Sequence, residues 1–180
     1  MPECPRFKLY PASSRDSLVY GTERPGYSPD NEKPGAVATE LVDEWAAHMK
    51  EHGVKRILSL LGDDEVEWYA EPIETTLAKH GFDSTHYSRT SVFKPGAMDV
   101  MLAAFQAAEA ANERIVVHCS GGTGRATLGL ATWVATKYGL SAEEAVNEVV
   151  EFGNATGVPR KLSPVKLETL LKDKCLQGKH

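Results

Sequence analysis

The stretch that decides the fold runs from Arg114 to Thr127 and reads RIVVHCSGGTGRAT. Its first part, up to His118, has an apolar and β-branched centre that is typical of a buried strand. Three of the five residues after Cys119 are glycine, and the residues after Arg125 are compatible with a helix. A strand that leads through a glycine-rich loop into a helix directs backbone N–H groups and the positive end of the helix dipole at one place. The stretch therefore predicts an anion site.

Apolar patterning on both sides of this stretch predicts alternating helices and strands. The run 57–61 is typical of a second buried strand, and weaker strand patterns occupy 7–10, 18–20 and 83–93. Spacing and end signals predict helices over 41–52, 66–80, 97–112, 127–138, 141–153 and 163–174, and the regular part of 66–80 is expected to begin near Pro72. The alternation predicts an α/β fold with a central, mostly parallel sheet flanked by helices. We expect one domain over 1–180, with an irregular segment at 1–35 and an α/β core at 36–174.

The composition indicates a globular protein, with 42% hydrophobic residues, 25% charged residues and a net charge of -5. The basic residues are scattered, so we predict neither a nucleic-acid nor a membrane surface, and no apolar stretch reaches the ~20 residues of a membrane span. The N-terminus lacks the regions of a signal peptide, and Cys4, Cys119 and Cys175 suggest neither a disulfide framework nor a zinc site. A cytoplasmic monomer without cofactor or metal is expected.

The spacing Cys-x5-Arg between Cys119 and Arg125 suits a thiolate that attacks a phosphate group. Glycines allow positive φ and close approach, so the amides of the intervening residues can surround an anion; these residues are Ser120, Gly121, Gly122, Thr123 and Gly124. Arg125 offers a planar fork for two oxygens, and the amides, the helix end and the arginine together favour the thiolate. The thiolate is placed for in-line attack, giving a cysteinyl-phosphate that water hydrolyses, with no need for a metal.

The pattern His118-Cys119-x-x-Gly122-x-x-Arg125 resembles the signature of the cysteine-dependent protein tyrosine and dual-specificity phosphatase superfamily. The order of the elements and the segments 20–26 and 56–61 resemble its small dual-specificity branch. The resemblance implies a dual-specificity-phosphatase-like fold with Cys119 as nucleophile. It also implies that Arg125 and the loop amides bind the phosphate, and that His118 orients the loop.

The same resemblance implies an activity and its partners. The expected reaction is hydrolysis of phosphate monoesters of the phosphotyrosine, phosphoserine or phosphothreonine type. The expected partner is a phosphorylated protein or a small phosphate ester, and a phosphate or sulfate ion is expected in the loop.

Two positions depart from the superfamily pattern. The Ser or Thr that usually follows the arginine is replaced by Ala126, and Thr127 points about 100° away if the segment is helical. The segment 88–96 has no acidic residue, although a general-acid Asp usually lies there and contributes about 10²–10⁴-fold. Asp99 is near, but its place in a first helical turn is explained by the helix dipole. These departures predict slow turnover.

The acidic run 62–65, predicted as a loop after the second buried strand, offers Asp63 or Asp64 as the general acid; otherwise it is a solvated turn. Two other readings stay open: a phosphoanhydride-type substrate that needs no acid, and an impaired phosphatase that binds phosphorylated partners. Another thiolate reaction, such as sulfur transfer, is a further alternative. The loop interior has no Lys or Arg, which favours a single phosphate, and the rim candidates are Arg24, Arg89 and Lys94.

Overall fold

The structure, a computed structural model, describes the backbone of residues 7–177 and the side chains as far as Asp173. Cys4 and the side chain of Cys175 lie outside this part. The N-terminal residues on which the signal-peptide prediction rests also lie outside it. Within it, Cys119 carries a free thiol.

Five strands form one sheet in the order β1-β2-β5-β3-β4. Their bounds are Tyr10–Pro11 for β1, Val19–Thr22 for β2, Val54–Ser59 for β3, Tyr87–Arg89 for β4 and Arg114–His118 for β5. β1 pairs antiparallel with β2, whereas the other neighbours are parallel. The predicted α/β fold with a mostly parallel sheet is confirmed.

The helices lie between and after the strands. Their bounds are Thr39–Glu51 for α1, Asp63–Val66 for α2, Ile73–Lys79 for α3, Ala97–Ala111 for α4, Arg125–Tyr138 for α5, Ala142–Ala155 for α6 and Pro164–Gln177 for α7. A 3-10 helix occupies Pro29–Asn31. In the described part of the chain, none of these helices has the length and apolar character needed to cross a membrane.

The sheet separates two apolar cores. Leu58 of β3 and Val117 of β5 belong to the core that α4, α5, α6 and α7 cover, whereas Ile57 and Val116 belong to the core under α1 and α3. Strands that are buried on both faces need apolar residues at successive positions, which explains the continuous runs in β3 and β5. Each such side chain contributes about 1.5–3 kcal/mol by leaving water.

Within the predicted helix span 66–80, the regular part begins near Pro72, as expected: α2 ends at Val66 and α3 begins at Ile73. Pro72 directly precedes α3, and proline has no N–H to continue a helix from the preceding turn. Between the two helices the backbone pairs instead with Val37, whose N–H donates to the Trp68 carbonyl and whose carbonyl accepts from Ala70 N. The acidic run that we expected as a loop forms most of α2.

Gly153 does not end α6, as its sequence position suggested, because the helix continues to Ala155. A Cβ at this glycine would collide with the side chain of Arg160. The guanidinium of Arg160 is buried, and it donates to four backbone carbonyls, those of Tyr10, Pro11, Ala12 and Val149. Burial lowers the pKa of Arg160 to about 10, which leaves it charged at neutral pH. The glycine therefore makes room for an arginine that ties β1 to α6.

The four parallel strands end at one edge of the sheet. Thr22 and Ser59 both pair with His118, and Ser59 also pairs with Arg89. The segments that follow these residues therefore meet at the same edge, where α/β sheets hold their ligands. This edge is the position that the sequence predicted for the anion site.

Candidate functional site

The loop after β5 is curled tightly around the sulfur of Cys119. Cys119 is 3% exposed, and the amide of Gly122 donates to its Sγ over 3.3 Å. Gly122 has a φ of +79°, and a Cβ there would lie 2.7 Å from the backbone nitrogen of Glu23. Only glycine combines this conformation with this close approach. The loop therefore depends on Gly122 for its shape.

Backbone contacts hold the loop from both sides. The amide of Arg24 donates to the Ser120 carbonyl over 2.9 Å, and the amide of Lys161 donates to the Thr123 carbonyl over 3.4 Å. The hydroxyl of Thr127 also donates to the Thr123 carbonyl, over 2.8 Å. Since that hydroxyl has one proton, it does not donate to Cys119, and the buried Ala126 has no hydroxyl to offer. Neither of the two residues after Arg125 therefore donates a hydroxyl to the sulfur in the described structure.

His118 lies fully buried beneath the loop. Its Nδ1 is 3.2 Å from the carbonyl oxygen of Cys119 and must carry the proton, because a carbonyl only accepts. Its Nε2 has no partner among the described residues. Burial, with a smaller effect from the charges of Arg125 and Arg24, lowers the pKa of His118 to about 4. A neutral imidazole therefore contacts the loop through the Cys119 carbonyl.

Arg125 is held by a carboxylate that the sequence did not single out. Its Nη1 donates to the Leu60 carbonyl over 3.0 Å and to Glu65 Oε2 over 2.5 Å, and its Nη2 donates to Glu65 Oε1 over 2.6 Å. The Glu65 hydrogen bonds raise the pKa of Arg125. Within the described structure, Nε–H and one Nη2–H are left without a partner. They form one edge of the guanidinium, which can bind two oxygens of a phosphate.

Glu65 is itself buried and fixed by the turn of α2. Its Oε2 accepts from the Gly62 amide over 2.7 Å, as in a capping box. Burial alone would raise the pKa of Glu65, but the hydrogen bonds from Arg125 and from the Gly62 amide outweigh it and the pKa lies below its ordinary range. Glu65 is therefore a carboxylate that positions Arg125. A glutamate three residues after a helix N-cap was the sequence signal that could have indicated this role.

The two candidate general acids lie on the exposed side of α2. The carboxylate of Asp63 accepts from Arg89 over 2.9 Å and from Lys94 over 2.6 Å, and these hydrogen bonds lower its pKa. Arg89 and Lys94, proposed for the rim, are therefore engaged with Asp63. Asp64 is exposed, and its charge contributes to the raised pKa of Arg125.

Arg24, the third rim candidate, lies under the loop instead. It is fully buried, its Nε donates to Ser120 Oγ over 3.2 Å, and its Nη2 donates to the side chain of Asn31 over 2.6 Å. Its guanidinium also packs 5.0 Å from the centre of the Trp68 ring. The predicted anion site therefore has a second permanent positive charge, that of Arg24, beside Ser120. We had expected this charge at the rim of the site.

A cavity of about 310 Å³ opens above the sulfur. Its lining contains no carboxylate among the described residues and consists of Val92, Phe93, Cys119, Gly121, Thr123, Gly124, Arg125, Leu128, Lys161, Leu162 and Lys166. Phe93 is 85% exposed at its rim. A neighbouring cavity of about 390 Å³, lined by residues 92–99, Leu170 and Asp173, does not reach Cys119. Asp99 borders that second cavity in the first turn of α4.

Comparison with known proteins gives a fold but no sequence family. No family model and no curated protein matches the chain. A kinase-associated phosphatase whose catalytic-site cysteine was substituted by serine matches with a TM-score of 0.68 and 13% identity, over 97% of both chains. PTPMT1 in complex with PI(5)P matches with a TM-score of 0.64 and 14% identity, over 91% of this chain and 95% of the other.

TpbA from P. aeruginosa matches with a TM-score of 0.54 and 16% identity, over 94% of this chain and 86% of the other. These neighbours are protein tyrosine or dual-specificity phosphatases. At such identities the likeness concerns the three-dimensional arrangement of the chain. The protein has the α/β fold of the protein tyrosine and dual-specificity phosphatases.

Proposed function

We propose that this protein is a cysteine-dependent phosphatase that hydrolyses phosphate monoesters. The observation that carries the proposal is the cavity that Cys119 and Arg125 share, with the Gly122 amide at the sulfur and a free edge on the guanidinium. One structural neighbour was described with a substitution of its catalytic-site cysteine. That description supports the same role for Cys119.

The proposed reaction has two steps. Cys119 Sγ attacks phosphorus in line, so that an S–P bond forms while the bond from phosphorus to the leaving oxygen breaks. The charge on the phosphoryl oxygens is stabilised by the free edge of Arg125 and by the amides from Ser120 to Gly124. Water then attacks phosphorus, releases inorganic phosphate and returns the sulfur to its starting state. His118 supports the loop from below, and Glu65 aims the guanidinium.

The leaving oxygen needs a proton unless it is already a good leaving group. The cavity has no carboxylate in its described lining, and Asp63 is tied to Arg89 and Lys94. Of the two candidate acids, Asp64 is the one whose charge acts on Arg125. The proposed substrates are therefore aryl phosphates of the phosphotyrosine type, with slow turnover of phosphoserine and phosphothreonine.

The same observation favours two alternatives. A phosphoanhydride has a leaving group that departs without an acid, so it suits a cavity without a carboxylate. A protein that binds phosphorylated partners without turnover needs only the loop and Arg125. Cys119 distinguishes these alternatives, because binding alone does not require a thiol.

Turnover of p-nitrophenyl phosphate by the wild type and by Cys119→Ser tests the proposal. We expect the substitution to lower kcat by about 10³-fold or more, since serine is a much weaker nucleophile in this position. Rapid acid quenching with labelled substrate should trap phosphate on the wild-type protein at Cys119. Cys4→Ser, which removes another thiol of the sequence, is the control for the loss of a thiol as such.

Equal rates for the wild type and Cys119→Ser would overturn the proposal. Phosphotyrosine binding without turnover by the wild type would instead support the binding-module alternative.

A further inference from the structure

Three cations at this edge of the sheet have an anionic partner. Arg89 and Lys94 bind Asp63, and Arg125 binds Glu65. In contrast, neither Lys161 nor Lys166 has an ion pair or side-chain hydrogen bond with any described residue, although both line the cavity above Cys119. The protein has a net charge of -5, so two unpaired lysines in one cleft stand out from its general charge.

Lys161 is held close to the loop by its own backbone and by its neighbour. Its amide donates to the Thr123 carbonyl over 3.4 Å. The preceding Arg160 is buried against four backbone carbonyls, and its amide donates to the side chain of Asn154 over 3.2 Å. These contacts hold the backbone of Lys161 beside the loop, and its side chain is exposed.

Lys166 stands on the first turns of α7, on the same wall of the cavity. Leu167, the next residue, is fully buried in the core that α4, α5 and α6 share with this helix, and it fixes the orientation of α7. Leu162, between the two lysines, also lines the cavity. This wall of the cavity therefore carries two exposed lysines, with the apolar Leu162 between them in the sequence.

The electrostatics of the cavity favour a substrate with more than one negative charge. The phosphate position is served by Arg125 and the loop amides, so the lysines are not needed to bind it. A cleft that is lined by charges of one sign focuses the field and attracts ligands of the opposite sign. With no carboxylate in the described lining, nothing in the cavity offsets the two ammonium groups.

We infer that Lys161 and Lys166 form a second anion subsite, and that preferred substrates carry a further phosphate or carboxylate beside the phosphate that is removed. This inference rests on the proposed function and names its substrate class. It revises the expectation of a substrate with a single phosphate, which came from the loop interior alone. The second group can belong to an acidic residue of a phosphopeptide or to a small molecule with two phosphates.

Two matched pairs of substrates test the subsite. One pair is a phosphotyrosine peptide with flanking aspartates and the same peptide with flanking asparagines; the other is a sugar bisphosphate and the corresponding monophosphate. For each pair, selectivity is the ratio of kcat/KM for the two-anion substrate to that for the one-anion substrate. The variants are Lys161→Gln with Lys166→Gln combined, and Lys172→Gln as a control that removes a charge from α7 outside the cavity.

We expect the double variant to lower selectivity for at least one pair by about tenfold, since one exposed charge pair accounts for up to about fivefold. Lys172→Gln should retain the wild-type ratio, and the wild-type preference should weaken as salt rises. A response of the peptide pair alone identifies peptides as the source of the second anion, and a response of the sugar pair alone identifies small molecules.

Wild-type selectivity in the double variant for both pairs would overturn the inference. If the wild type turns over none of these substrates, the proposed function fails instead. The same ratio is then measured as equilibrium binding of each substrate to the wild type and to the variants. Loss of the binding ratio in the double variant supports the subsite, and an unchanged ratio overturns it.

Discussion

The two sides of the cavity above Cys119 differ in the number of contacts that hold their lining residues. On the proposed phosphate side, Cys119 is buried, the Gly122 amide donates to its sulfur, and the loop is held by hydrogen bonds from Arg24, Thr127 and Lys161. Away from the loop and the lysine wall, the cavity is lined by Val92 and by Phe93, which is 85% exposed, and we take this as the leaving-group side. One side is fixed by many contacts, and the other is an open rim.

This difference has a consequence for catalysis. Preorganised donors stabilise the charge of a transferring phosphoryl group, and they act without reorganisation. Protonation of the leaving oxygen needs a carboxyl group within hydrogen-bond reach, and the described lining of the cavity has none. We therefore expect phosphate binding to be sensitive to small changes in the loop. Turnover should depend mainly on the leaving group of the substrate.

Gly122→Ala should give the largest effect on the phosphate side. A Cβ at this position would meet backbone atoms of Thr22 and Glu23 at 2.7 Å, and the φ of +79° disfavours alanine. The loss of one oxyanion-hole donor lowers kcat by about 10²–10³-fold. Displacement of the loop amides should lower kcat at least as much. The measurement is kcat/KM for p-nitrophenyl phosphate together with the Kd for inorganic phosphate.

Gly124→Ala is the matched control, because a Cβ there has no heavy atom within 4 Å and φ is -108°. We expect this variant to stay within a few-fold of the wild type. Similar losses in both variants would show that the loop does not depend on the geometry of Gly122.

Glu65→Gln should have the next largest effect. The substitution replaces one acceptor oxygen by an NH2 group and removes the charge, so Arg125 loses one of two charge-assisted hydrogen bonds; this is equivalent to about 1.5–3 kcal/mol, or roughly 10- to 100-fold in kcat/KM. Glu67→Gln removes a carboxylate from an exposed position just after α2 and should leave the rate near the wild-type value.

The sign of the Glu65→Gln effect decides between two roles for this carboxylate. If Glu65 positions Arg125, phosphate binding weakens in the variant. If Glu65 competes with phosphate for the guanidinium, phosphate binding tightens in the variant. The Glu65–Arg125 pair would then oppose phosphate binding instead of preparing Arg125 for it.

The parts of the site that the sequence predicted are those that are local in the chain. Cys119 and Arg125 belong to one strand–loop–helix segment, so their spacing alone places both at the sheet edge. Glu65 meets Arg125 across 60 positions of sequence, and Arg24 reaches Ser120 across 96. Local periodicity in the sequence does not indicate such contacts. We therefore predicted Arg24 at the rim, and we predicted Asp63 or Asp64, rather than Glu65, as functional residues of α2.

The limits of the fold prediction have a similar cause. The buried runs of β3 and β5 follow from burial on both faces of the sheet, which a sequence shows directly. The role of Gly153 depends on Arg160, which arrives from the segment after the helix. A glycine near a helix end is usually read as a cap, and only the tertiary contact distinguishes the two roles.

The smallest expected effect concerns the leaving-group side. It tests whether the two sides of the cavity differ in catalysis. Wild-type turnover should fall steeply from p-nitrophenyl phosphate to phenyl phosphate, because phenol is a poorer leaving group and no acid lines the cavity. Asp64→Asn should lower turnover of phenyl phosphate by no more than about tenfold, below the about 10²–10⁴-fold of a positioned general acid. Asp63→Asn should lower it less, since Asp63 is tied to Arg89 and Lys94.

A loss of 10²-fold or more in Asp64→Asn for phenyl phosphate, with little loss for p-nitrophenyl phosphate, would contradict this expectation. That pattern is the signature of an acid that protonates the leaving oxygen, and it would mean that α2 brings Asp64 over the cavity when substrate binds. The exposed rim would then be completed by the substrate. The same helix would serve both sides of the cavity, with Glu65 fixing Arg125 and Asp64 protonating the leaving group.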